Sequence, residues 1–251
     1  MSGDRTVRRE TQNVLLVLLG GALLKIAWNG SYLHYVKPSL LPFLVAAGVV
    51  ILALGLIAIV RDVRAVAGHA DHDEHPDHAG HDEHPDHAGR SPWLLLLPVL
   101  AIFLVAPPAL GADAVSRSAS VAPQRSAVNF PPLPAGPAPA LRMSDFVTRA
   151  VWDDAGSLNG RQVRLLGFVV QGDDGVTYLA RLVMACCAAD ATPVKVHLEG
   201  RSGLAVLPQD GWFEVRGQLM PGSARSGNSF APTFTVSDLR PVPAPAEPYE
   251  F

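Results

Sequence analysis

The two cysteines of this chain are adjacent, Cys186 and Cys187, and an acid, Asp190, follows three residues later. They sit in RLVMACCAADATPV, Arg181 to Val194, among the small residues Ala188, Ala189 and Ala191. Two thiols and a carboxylate this close allow two kinds of chemistry or none. In a regular strand the two side chains point to opposite faces, which makes one cysteine core and the other surface. In a turn, both sulfurs and Asp190 can converge on a thiophilic metal such as zinc, with His197 the nearest candidate for a fourth ligand. As a redox pair they would close a strained vicinal disulfide, because neighbouring Cα atoms stand ~3.8 Å apart where disulfides want about 4.4–6.8 Å. The spacing leaves all three open.

A second set of donors lies far away in sequence. HDEHPDHAG occupies 72–80 and recurs unchanged at 81–89, so that His69, His72, His75, His78, His81, His84 and His87 fall at every third position. Acids are interleaved (Asp71, Asp73, Glu74, Asp77, Asp82, Glu83, Asp86), and Pro76 and Pro85 prevent a continuous helix. Neutral imidazoles bind zinc, copper or nickel, which makes this tract a weak metal binder. A duplicated, solvated linker accounts for the same composition. No Ser/His/Asp set, phosphate loop or paired-carboxylate motif is present, so the chain reads as a non-enzyme.

The elements that must hold these groups are of two kinds. A chain that is 49% hydrophobic and only 17% charged is of membrane type. Its formal net charge of −3 offers no field to attract nucleic acid. Three apolar runs stand out. Val14–Trp28 carries Lys25 near its end and is short for a bilayer, Ser39–Val60 has no charge and is long enough to span, and 92–110 contains Pro98 and reads as a kinked span. Arg5, Arg8 and Arg9 precede the first run, and Arg61, Arg64 and Arg90 lie between the second and third. The positive-inside rule then predicts a multi-pass protein of the cell membrane, with a cytoplasmic His-rich loop at 69–90 and an extracytoplasmic C-terminal domain.

The expected division is a membrane anchor over 1–110, an Ala/Pro-rich tether over 111–140, a β domain over 141–240 and a Pro-rich tail over 241–251. Ser144 reads as the N-cap of a short helix opening the domain. Beyond it the periodicity becomes that of strands: 162–170, 177–185, 193–198, 212–220 and 234–239, with Gly167 and Gly217 where strands would bend. Five short strands of this kind predict a small, partly open OB-like barrel.

Several blocks together resemble a known family: PPALG at 107–111, NGRQVRLLGFVV, LARLVMACCAADATPV, DGWFEVRGQL and the terminal PAEPYEF. They are similar to the YcgQ-like family of uncharacterised bacterial membrane proteins. The resemblance implies a permease subunit that pairs with a larger multi-spanning permease in the lipid bilayer, with a link to zinc in some members. It attaches Cys186, Cys187 and Asp190 to the family's CCAAD block without giving them a role. A stand-alone membrane-anchored metal-binding or delivery protein, or a thiol-redox membrane protein, are the alternatives.

Overall fold

The structure is a computed structural model that describes residues 3–68, 100, 104, 108–118, 130–173 and 175–251. These fall into two units, one of residues 1–32 and 38–107, the other of residues 33–37 and 108–251.

In the first unit, α1 (Gly3–Trp28) and α2 (Leu41–Gly68) pack against each other. Glycines let the two backbones approach. A Cβ on Gly20 would come within 2.7 Å of the Leu52 nitrogen, and one on Gly55 within 2.9 Å of a Val17 methyl. Without side chains at these positions the two helices can approach closely. Asn13 on α1 donates from Nδ2 to Asp62 Oδ2 on α2 at 2.7 Å.

The expectation of about three spans is corrected. Among the described residues, one helix, Pro38–Arg64, is long and apolar enough to cross a membrane. The apolar part of α1, Gln12–Trp28, is shorter than that. Most of 92–110, on which the extracytoplasmic placement of the C-terminal domain rested, lies outside the described residues. So does the whole His-rich tract, with His69, His72, His75, His78, His81, His84 and His87.

The second unit is built on a sheet of β1 (Gln162–Gln171), β2 (Thr177–Val183), β3 (Thr192–Glu199), β4 (Trp212–Leu219), β5 (Thr233–Pro241) and β6 (Tyr249–Glu250). The strand order is β1-β4-β5-β3-β2-β6, and β1 also pairs with β2. The expected five-stranded OB-like barrel is thereby corrected to a six-stranded mixed sheet. Two pairings are parallel, β3 with β5 and β2 with β6. The sixth strand is two residues long and follows a proline, so no alternation announces it; only its partner β2 defines it.

Apolar side chains fill both faces. Val163, Leu165, Leu179, Val196, Phe213, Val215 and Phe234 form one core, closed by Phe146 and Val147 of α4 (Met143–Trp152). Phe168, Val170, Ala180, Leu182 and Met184 form the other, closed by Ala112 and Val115 of α3 (Ala112–Arg117) and by Tyr249. Two covered faces explain why β2 is buried at consecutive positions instead of alternating. Residues read as tether contribute here too. Pro139 accepts a backbone hydrogen bond from Arg164 N, and Leu133 packs on the first core.

Helix α4 begins differently from the sequence expectation. Its N-cap is Arg142, whose side chain makes no cap bond, and Ser144 lies inside the first turn. The orphan amides are taken by Glu250: Met143 N and Ser144 N donate to its carboxylate at 2.7 and 2.9 Å, and Ser144 Oγ at 2.6 Å. A side chain more than a hundred positions downstream does the capping.

Candidate functional site: the cysteine turn

Between the end of β2 and the start of β3 the chain makes a tight turn whose organiser is Asp190. Its Oδ1 accepts from Ala185 N at 2.8 Å, and its Oδ2 from Cys186 N at 2.8 Å and Cys187 N at 3.1 Å. The Cys186 thiol donates to the same Oδ2 at 2.8 Å. Ala188–Asp190 forms a single 3₁₀ turn, and the small side chains there leave room for the carboxylate to fold back. A short acid bonding to backbone amides just upstream is the interaction that lets Asp compete with regular secondary structure.

Both thiols are free, Cys186 exposed and Cys187 half-buried. Neither serves as core. The sulfurs and the Asp190 carboxylate all lie within 4.8 Å of one another. The hydrogen bond to the Asp190 carboxylate, reinforced by the neighbouring Cys187, pushes the Cys186 thiol up to about 11. The same thiol bond, with the amides of Cys187 and Ala185, holds the Asp190 carboxyl well below its ordinary range. At neutral pH the pair is therefore a protonated thiol on a firmly ionised carboxylate. A soft metal ion arriving here would displace that proton.

His197 does not join them. It lies on β3 opposite Tyr178, 5.9 Å from that ring, and its Nδ1 is 3.3 Å from Glu199 Oε1. The turn therefore presents three donors, which leaves a tetrahedral ion one position short.

Sequence reasoning missed what braces the turn. Val36 and Cys187 form an antiparallel bridge, with Lys37 N donating to Cys186 O at 3.1 Å and Ala188 N to Tyr35 O at 2.8 Å. The segment Leu33–Lys37 is fixed in turn by Tyr249, whose hydroxyl donates to His34 O at 3.1 Å and accepts from Leu110 N at 2.9 Å. On the other side Met184 N donates to Glu250 O at 2.8 Å. The stretch around Tyr35 reads YLHYV, too short to announce a partner, and a bracing contact about 150 positions away leaves no local signal. Tyr249→Phe is expected to keep the ring packed while stripping both hydroxyl bonds. The expected cost is about 1–3 kcal/mol, read as a lower melting temperature, with faster solvent exchange at the Ala188 amide.

Fold and site together define a class: a helical pair joined to a mixed β-sheet domain that displays an exposed dithiol turn. The chain belongs to the DUF1980 family, whose N-terminal domain matches residues 11–120 and whose C-terminal domain matches residues 146–251. The C-terminal match contains the whole cysteine turn. No curated protein matches the chain.

Proposed function

We propose that the protein is a membrane-anchored, non-catalytic accessory subunit of a permease, and that its cysteine turn takes a thiophilic divalent ion, zinc being the best match. The convergence of both sulfurs and the Asp190 carboxylate within 4.8 Å carries this reading. Thiolate and carboxylate are both zinc ligands, and thiolates favour soft ions over calcium or magnesium. Three donors on an exposed turn suit an ion that is received and passed on, since a closed structural site would fill all four positions. Anchoring is supported by α2, where Phe43, Val49, Val50, Leu54 and Ile57 are exposed and would be solvated by lipid.

The test uses full-length protein in detergent beside a chain lacking residues 72–89, so that the histidine tract does not mask the turn. After zinc loading and dialysis, the shortened chain is expected to retain one zinc. Cys186→Ser and Cys187→Ser are each expected to lose it while melting as the parent does, because serine is nearly isosteric but a poor ligand for a soft metal. Zinc retained by both serine variants, or absent from the parent, would overturn the metal site. Purification from native membranes tests the subunit role: a stoichiometric multi-spanning partner is expected. Bound zinc without one would move the reading to a stand-alone metal carrier.

A further inference from the structure

Strands β1 and β4 set two arginines directly opposite one another, Arg164 facing Arg216. Residues so paired have Cβ atoms about 4.5–5.5 Å apart, and like charges in that position repel. Acids offset the repulsion only in part. Glu214 Oε2 accepts from Arg164 Nη1 at 3.3 Å, while Asp238, the β5 partner of Arg216, is engaged by Arg240 Nε at 3.0 Å. The other bonds are to neutral groups: Arg164 Nε donates to Ala138 O at 3.1 Å, and Arg216 Nε to Gln162 Oε1 at 3.3 Å. Among the described residues this leaves Arg164 Nη2 and both terminal nitrogens of Arg216 without a protein partner. Both side chains reach solvent, that of Arg164 being 43% exposed.

The two arginines line one cleft of about 460 Å³, whose other wall is the stretch 134–140. Its size falls within the ordinary range for small-molecule sites, roughly 300–1,000 Å³. That wall is fixed to β1, because Arg164 N donates to Pro139 O at 2.9 Å and Leu141 N to Arg164 O at 3.0 Å. Pro134, Pro137 and Pro139, with the alanines between them, make it largely apolar, and no acid lines the cleft.

We propose that this cleft binds a phosphate group, free or carried by a small organic ester. A carboxylate presents two oxygens in one plane, which a single guanidinium fork satisfies. A phosphate presents three strong acceptor oxygens in a tetrahedral array, so it can meet two guanidiniums that arrive from adjacent strands. Its negative charge relieves the repulsion between Arg164 and Arg216. The proline wall gives the body of an ester an apolar surface to lie on.

The probes are inorganic phosphate and glycerol 3-phosphate, with sodium acetate and sodium chloride at matched ionic strength, on the full-length protein in detergent. Both phosphates are expected to raise the melting temperature saturably and to broaden in the phosphorus NMR spectrum, while acetate and chloride leave the melt unchanged. A response to glycerol 3-phosphate alone would also support the site and assign it to an ester held by the proline wall. Arg216→Gln, whose parent side chain is bonded only to Gln162, is expected to melt as the parent does and to bind phosphate about tenfold more weakly. Glu214→Gln frees Arg164 from its ion pair and is expected to tighten binding several-fold, a gain that a merely solvated arginine pair would not give. A response to either phosphate no larger than to acetate, unaltered affinity in Arg216→Gln, or no gain in Glu214→Gln would overturn the proposal. Cys186→Ser is expected to keep phosphate binding, which separates this site from the fate of the metal site.

Discussion

Asp190→Asn is expected to raise the rate at which iodoacetamide alkylates Cys186 at pH 8 by about tenfold. In the native turn the thiol is held at about 11 by its bond to the Asp190 carboxylate, against an ordinary value of 9.0. Removing the charge returns it towards that ordinary value, and the thiolate fraction at pH 8 then rises roughly 100-fold. A less basic thiolate is also a weaker nucleophile, which takes back about a factor of ten. The pH profile gives the sign. Asp190 is held below its ordinary 3.8, so its contribution to the turn is present above that value and lost as pH falls through the lowered one. Cys186 is held above 9.0, so its contribution is present below that value and lost as pH rises towards about 11. The turn is therefore fully braced between the two ordinary values. Alkylation of the native protein should inflect near 11 and that of the variant near 9. Matching profiles would show that the carboxylate does not govern the thiol.

Gly217→Ala is expected to destabilise the β domain by about 3 kcal/mol or more, lowering its melting temperature by on the order of 10 °C. Gly217 sits at the register shift between Arg216 and Gly217, where β4 passes β5. A Cβ there would run into the carbonyl oxygen of Thr235 and come within 2.8 Å of the Phe234 ring. Phe234 is fully buried in edge contact with Phe146, so the ring has nowhere to go, and the carbonyl belongs to the neighbouring strand. Gly222→Ala is the control: its φ of +69° imposes strain, but nothing lies within 4 Å of the added methyl. About 1 kcal/mol is expected there. Equal losses at the two positions would show that the close approach at Gly217 does not matter.

Local pattern determined much of this protein. The strands at 162–170 and 212–220 were legible because alternation and β-branched residues report a half-buried ribbon, and β1 and β4 fall on them within a residue or so. Gly167 and Gly217 were legible as special positions, since glycine inside a strand marks a bend or a close approach. Cys186, Cys187 and Asp190 were legible as one group because a turn of a few residues can be closed by its own side chains, as this one is. What the tertiary structure alone decided involves partners distant in sequence. Ser144 looked like a cap, yet Glu250 does the capping, because the sheet brings β6 beside the start of α4. His197 looked like a fourth ligand by proximity in sequence, but β3 carries it away from the turn to pair with Tyr178. The bracing of the cysteine turn by Leu33–Lys37 and Tyr249 follows from contacts that no periodicity encodes. Periodicity reports how a residue meets its own element; which distant residue completes its hydrogen bonds is fixed only when the chain has folded.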